Sequence, residues 1–167
     1  RSGEGILSMR DPFIINEQTV ISFSGGRTSA YMLWRVLQSN NGLPDNALIC
    51  FANTGKEDEA TLQFVLDCEI NFDVKIHWLE LFDNDDKFIE VNFDTASRDG
   101  EPFELLINKK KFLPNSVMRF CTTELKIHPI TRFMKKLGID EFDTMAGIRA
   151  DEQKRVAKLR ETVFAPL

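Results

Sequence analysis

The chain is 167 residues long, 43% hydrophobic and 28% charged, with 21 basic residues against 26 acidic ones and a formal net charge of -5. That is enough apolar chain for one substantial core and too little for two large ones, so one domain over residues 13–167 is expected, after a flexible tail over residues 1–12. The acidic balance disfavours a broad nucleic-acid surface, which needs basic groups to displace condensed counterions, and the longest apolar runs, such as Ala47 to Ala52, fall far short of the roughly 20 residues of a membrane span.

Thr19 to Phe23 is β-branched and aromatic and ends abruptly at Ser24-Gly25-Gly26, which predicts a buried strand entering a tight turn. Ala30, Leu33, Trp34 and Leu37 then recur at helical spacing until Asn40-Asn41-Gly42. Ala47 to Ala52 is a second strand-length apolar run, broken by Asn53-Thr54-Gly55 and followed by a helix marked by Leu62, Val65, Leu66 and Glu69. Val74 to Leu81 predicts a third strand and Phe142 to Ala146 a fourth, with a helix from Thr123 to Leu137 between them whose apolar face is Ile130, Phe133, Met134 and Leu137. The stretch at about residues 83–118 is acidic, then mixed, and Pro102 and Pro114 interrupt any long periodic element. It is expected to be an insertion over the site, with a short helix around residues 103–108.

Strands alternating with helices imply an α/β fold: a mostly parallel twisted sheet with helices on both faces, Rossmann-like in outline. Ligands of such sheets bind beyond the carboxyl ends of the strands. The segments Ser24 to Ser29, Asn53 to Lys56 and Gly147 to Arg155 all follow predicted strands, so they should converge on one edge.

Three cysteines, Cys50, Cys68 and Cys121, are odd in number and lack C-x-x-C spacing, which argues against a disulfide framework and, with only His77 and His128 to add, against a metal site. Without a leader pattern at its start, the chain is expected in the cytoplasm. Local basic groups occur at Lys109 to Lys111, at Arg119 with Lys126, and at Arg149 with Lys154 and Arg155.

In Ser24-Gly25-Gly26-Arg27-Thr28-Ser29, glycines let the backbone approach an anion, and the helix that follows aims its free N–H groups and positive dipole end at it. Gly26 is expected to hold a positive φ or a close approach. The spacing is not that of a P-loop NTPase and lacks the third glycine of a dinucleotide fingerprint. Cys121 sits between basic residues just before an expected helix start, surroundings that favour thiolate, whereas Cys50 and Cys68 fall on expected buried faces.

Ser22 to Ser29 resembles the PP-loop of the adenine nucleotide alpha-hydrolase superfamily. Asn53-Thr54-Gly55, Arg119-Phe120-Cys121-Thr122-Thr123-Glu124-Leu125-Lys126 and Gly147-Ile148-Arg149-Ala150-Asp151-Glu152-Gln153-Lys154-Arg155 narrow the resemblance to the phosphoadenosine phosphosulfate (PAPS) reductase-like branch, and the insertion is similar to that of phage and prophage members. The resemblance implies that Ser24, Gly25, Gly26, Arg27, Thr28 and Ser29 bind phosphate or sulfate oxygens and that Asn53, Thr54 and Gly55 line the nucleotide pocket. It implies that Lys126, Arg149 and Arg155 neutralise anionic charge; Arg119 is a further candidate for the nucleotide site, and the surroundings of Cys121, not the resemblance, make it the candidate working thiol. The implied ligand is PAPS or ATP, the latter usually with magnesium, and the implied partner is a thiol reductant protein; an oligomer is compatible with the sequence. An iron-sulfur cluster would need more cysteines than are present. The Glu-Cys-Gly-Leu-His tail of assimilatory PAPS reductases has no counterpart here. The leading expectation is therefore thiol-dependent sulfonucleotide reduction, with adenylation of an acceptor by a PP-loop pyrophosphatase, or nucleotide binding without turnover, as alternatives.

Overall fold

The computed structural model describes residues 10–111 and 122–147. In chain order the elements are β1 (Thr19–Ser22), α1 (Arg27–Ser39), β2 (Ala47–Ala52), α2 (Glu59–Asn71), β3 (Ile76–Leu81), β4 (Phe88–Val91), α3 (Glu101–Lys110), a π-helical turn (Thr123–Ile127) running into α4 (His128–Lys136), and β5 (Asp143–Ala146). They form an α/β fold around a five-stranded sheet of order β4-β3-β2-β1-β5. All neighbours run parallel except β4, which is antiparallel to β3.

The central strands are continuous apolar runs because both sheet faces are covered. On one face Ile21, Phe23, Ile49, Phe51 and Trp78 pack with Met32, Leu33 and Val36 of α1 and Leu62 and Val65 of α2. On the other, Val20, Cys50 and Leu79 meet Ile130, Phe133 and Met134 of α4. Leu81, Leu106 and Leu125 form a third small cluster, which fastens α3 and the π turn beside the end of β3.

Strands β1, β2 and β3 step across the sheet in one direction, and β5 then lands on the opposite side of β1. The order thus reverses at β1 and β5, the place where parallel sheets open a crevice beyond their carboxyl ends. Ser22 is level with Ala146 in that pair, so the chain leaves both strands at the same height.

Four local expectations are corrected. The acidic stretch contains a strand, β4, that composition hides: four residues beside Asp83, Asp85 and Asp86 show no alternation long enough to read, and pairing with β3 supplies the order. Pro102 starts α3 instead of interrupting it, because the first helical turn does not use the missing N–H. The helix expected from Thr123 begins as a π turn, since Pro129 has no N–H to give to the Leu125 carbonyl one α-turn back. Trp34 is 44% exposed and lies against Tyr31, with ring centroids 5.8 Å apart, outside the buried stripe of α1.

Among the described residues no helix is long and apolar enough to cross a membrane.

Candidate functional site

Between β1 and α1 the chain turns through Ser24, Gly25 and Gly26. Gly25 has φ +79, a left-handed conformation, and a Cβ there would come within 2.7 Å of Thr61 Cγ2 and 3.4 Å of Phe51. Gly26 is extended, with φ -104 and ψ 166, and among the described residues a Cβ there would meet only Ser24 Oγ, at 3.7 Å. The glycine that backbone conformation and packing demand is therefore Gly25, and the positive φ expected of Gly26 does not occur. Among the described residues, the bare backbone of Gly26 instead leaves space at the head of α1.

Among the described residues no side chain caps α1; no acidic residue lies in its first turn, and the first helical hydrogen bond runs from Ala30 N to Gly26 O at 3.1 Å. The N–H groups of Arg27, Thr28 and Ser29 thus precede the intrahelical pattern, where unsatisfied donors and the dipole together attract an anion. Ser24, Gly26 and Arg27 are exposed and Thr28 is half-buried. Ser29 is fully buried, and its Oγ accepts a hydrogen bond from Ser24 N at 3.0 Å and lies 2.5 Å from Ser24 Oγ. Its hydroxyl closes the loop from inside.

The chain leaving β5 passes against this turn. A Cβ on Gly147 would lie 3.1 Å from the Thr28 carbonyl and 3.2 Å from Ser29 N, so the first residue of the third segment meets the first segment at the start of α1. The second segment, after β2, begins one strand over with Asn53, whose backbone N bonds Leu79 O at 2.9 Å. Asn53 is fully buried, Thr54 half-buried and Gly55 buried, with φ +76. The first two strand-end segments and Gly147, the first residue of the third, share one edge of the sheet; the rest of the third segment, with Arg149 and Arg155, and Arg119 and Cys121, lie outside the described residues.

Residues 96–102 of the insertion lie on the second segment. Asn53 Nδ2 donates to Ser97 O at 2.9 Å, Lys56 Nζ donates to Asp99 O at 3.2 Å, and Arg98 makes a two-pronged ion pair with Glu59 at 2.7 and 3.0 Å. A hydrogen bond from that guanidinium holds the Glu59 carboxyl below its ordinary value. Underneath is Glu80, a buried carboxylate that sequence reasoning passed over; its one signal is an acid inside the apolar run Ile76–Leu81.

Lys126 is exposed on the π turn, which contacts β2 and β3. Beside it, burial alone would raise the Glu124 carboxyl, but hydrogen bonds from Lys110 and His128 hold it below its ordinary value. The Lys110 pair, at 3.1 Å, ties this turn to α3. Burial pushes the Cys50 thiol up to about 12 and also raises that of Cys68. The two cysteines pack on opposite faces of the sheet, so they offer no shared ligand set for an iron-sulfur cluster. Among the described residues no group of three His, Cys, Asp or Glu side chains could hold a metal ion.

Residues 18–165 match the model of the phosphoadenosine phosphosulfate reductase domain family. The chain is similar to the uncharacterized nin region protein ORF290 of Escherichia phage lambda, with 33% identity over 154 residues, covering 82% of this chain and 50% of that one. It therefore spans about half the length of this relative. No solved structure gives a significant match. With the loop, the sheet order and the segment that returns to Thr28 all falling inside the matched span, the chain belongs to the phosphoadenosine phosphosulfate reductase domain family, in a form similar to a phage protein.

Proposed function

We propose that the chain binds an adenine nucleotide carrying several anionic groups and presents it to a thiol for sulfonucleotide reduction. The observation that carries this reading is the open, uncapped head of α1 at Gly26, set where the strand order reverses and bordered by the chain leaving β5. Donors at Ser24, Gly25, Gly26, Arg27 and Thr28 meet phosphate or sulfate oxygens, and Ser29 holds the turn in shape. Asn53, Thr54 and Gly55 form the wall on the nucleoside side. Arg119, Lys126, Arg149 and Arg155 supply positive charge, since guanidinium forks suit bidentate oxyanion contacts.

In the reaction proposed, the Cys121 thiolate attacks the sulfur of the sulfonucleotide. The S–O bond to the nucleotide breaks, its electron pair leaves on adenosine bisphosphate, and a cysteine thiosulfonate forms. A second thiolate from a reductant protein then attacks the Cys121 sulfur, forming a disulfide and expelling sulfite, so the pair of thiols is oxidised by two electrons and the sulfur is reduced by two. Adenylation of an acceptor would instead yield AMP and pyrophosphate, and a binding module would give no product.

Incubating the protein with PAPS or ATP and a dithiol reductant, then resolving products by chromatography, tests the reaction. Sulfite with adenosine bisphosphate is expected; AMP with pyrophosphate, or binding without turnover, overturns it. Calorimetry tests the site: PAPS and ATP should bind more tightly than AMP, and equal affinity would remove the roles given to the basic residues. Alkylation of the folded protein should modify Cys121 first, because Cys50 and Cys68 are held protonated by burial. Equal labelling of all three cysteines would remove the case for a special thiol.

A further inference from the structure

Glu80 is 3% exposed, at the end of β3 and opposite Ile89 of β4. A carboxylate taken out of water must recover its lost hydration. Its described partners are all neutral donors: Asn53 Nδ2 to Oε1 at 2.7 Å, Ser97 N to Oε1 at 2.7 Å, and Ser97 Oγ to Oε2 at 2.7 Å. Such an arrangement is an expensive way to stabilise a sheet, since a hydrophobic side chain would pack there without the desolvation cost.

The geometry does something an apolar residue could not. Both protons of the Asn53 amide are engaged, one by Glu80 Oε1 and the other by Ser97 O at 2.9 Å. A flipped amide would set its oxygen against the carboxylate and that carbonyl, so Oδ1 is directed to its remaining partner, Gly55 N, at 3.2 Å. Gly55 has φ +76, and its would-be Cβ lies 2.9 Å from Pro102 Cδ and 3.0 Å from Gly100 Cα, so the turn is enclosed by the insertion as well. Glu80 thus fixes Asn53, Asn53 fixes Gly55, and Ser97 joins the insertion to the same carboxylate.

We propose that Glu80 is a positioning residue for the nucleotide wall, acting through Asn53 and making Ser97 of the insertion part of the site. The inference rests on the nucleotide reading above and adds to it a residue that need not touch the ligand. Glutamine can keep the arrangement, with Oε1 accepting from Asn53 and Ser97 N and Nε2 donating to Ser97 Oγ; alanine cannot.

The test pairs nucleotide affinity, by calorimetry with ATP and PAPS, with hydrogen exchange at the Gly55 amide. Glu80→Ala should weaken binding about tenfold or more and lower Gly55 protection, because a buried amide loses its fixed partner. Glu80→Gln should stay within about threefold of the wild type in affinity, the charge being dispensable when the geometry is kept. Adding Asn53→Ala to Glu80→Ala should cost nothing beyond the larger single effect, since the two act in series. A lower melting temperature with unchanged affinity and unchanged Gly55 exchange would make Glu80 merely structural and overturn the proposal, as would additive losses in the double variant. Should Glu80→Ala fail to fold, Ser97→Ala removes the donor to Oε2 and keeps the carboxylate: weaker binding with faster Gly55 exchange supports the role, and no change in either overturns it. Failure of the wild-type protein to bind any adenine nucleotide would overturn the proposed function instead, while the Gly55 exchange still judges what Glu80 holds.

Discussion

The two loops that open the site are held in different ways. The turn after β1 is built from neighbours: Ser29 closes it onto Ser24 five residues away, and a left-handed Gly25 seats it on α2. The turn after β2 is held from far along the chain, by Glu80 at a separation of 27 residues, Asp99 at 43 and Ser97 at 44, while Arg98, 39 residues on, ties the insertion to Glu59 at the start of α2. A loop that greets any phosphate needs only exposed backbone donors and a helix head, which local sequence can encode. The wall proposed for the nucleotide would have to be rigid against its ligand, and the tertiary contacts with the insertion are what would make it so.

The sharpest way to break this contrast is at the two adjacent glycines. Gly25→Val places a β-branched residue at φ +79 with Thr61 Cγ2 only 2.7 Å from its Cβ, so backbone strain and a clash act together. A loss of about 3 kcal/mol or more of folding stability is expected in denaturant titration. Gly26→Val, with φ -104 and open space around it, should leave stability nearly intact. Its side chain would stand where the anion is proposed to sit, so nucleotide affinity should fall by about 2 kcal/mol or more. A Gly26→Val protein that binds ATP and PAPS normally would remove the phosphate loop from the proposed function.

Ser29→Ala probes the local closure of the first loop. It removes the acceptor of Ser24 N in a fully buried position, at an expected cost of about 1–2 kcal/mol in stability. Because the hydroxyl faces into the loop, affinity should fall less than in Gly26→Val. The reverse order, with stability unchanged and affinity lost, would make Ser29 a direct ligand of the anion.

The same contrast explains what could be read from the sequence. Strands β1 and β2 and helices α1 and α2 were legible because apolar runs and helical spacing are short-range signals, as was the glycine turn between β1 and α1. Which glycine carries the left-handed φ was not, because Thr61, which crowds Gly25, comes from the next helix. Strand β4 exists through its pairing with β3, and four residues cannot announce a partner. Glu80 could be noticed as an acid in an apolar strand, yet nothing local says that its donors are Asn53 and Ser97.

The mildest test concerns the outer clip on the second loop, the Glu59–Arg98 pair. Arg98 also donates to Ala96 O and Phe93 O, both at 2.9 Å, and lies over the Phe93 ring at 5.0 Å, so breaking the ion pair leaves the guanidinium anchored within the insertion while its tie to α2 is lost. The pair is exposed, hence salt-screened, and its effect belongs to local opening more than to global stability. The Glu59 carboxyl is held below its ordinary 4.5 in the folded protein by the hydrogen bond from Arg98, so the clip is fully present above that pH and is lost as pH falls through the lower folded value. Protection of the amides over residues 96–100, as exchange corrected for its intrinsic pH dependence, should therefore be high at neutral pH and fall in the acid range below about 4.5. In Glu59→Gln those amides should exchange faster at neutral pH, because the charge-assisted fork is gone, with the melting temperature nearly unchanged. Wild-type exchange at neutral pH in the glutamine variant would mean that the insertion is held without the clip, by the Glu80, Asn53 and Ser97 network together with the Lys56 bond to Asp99 O and the packing of Gly100 and Pro102 on Gly55.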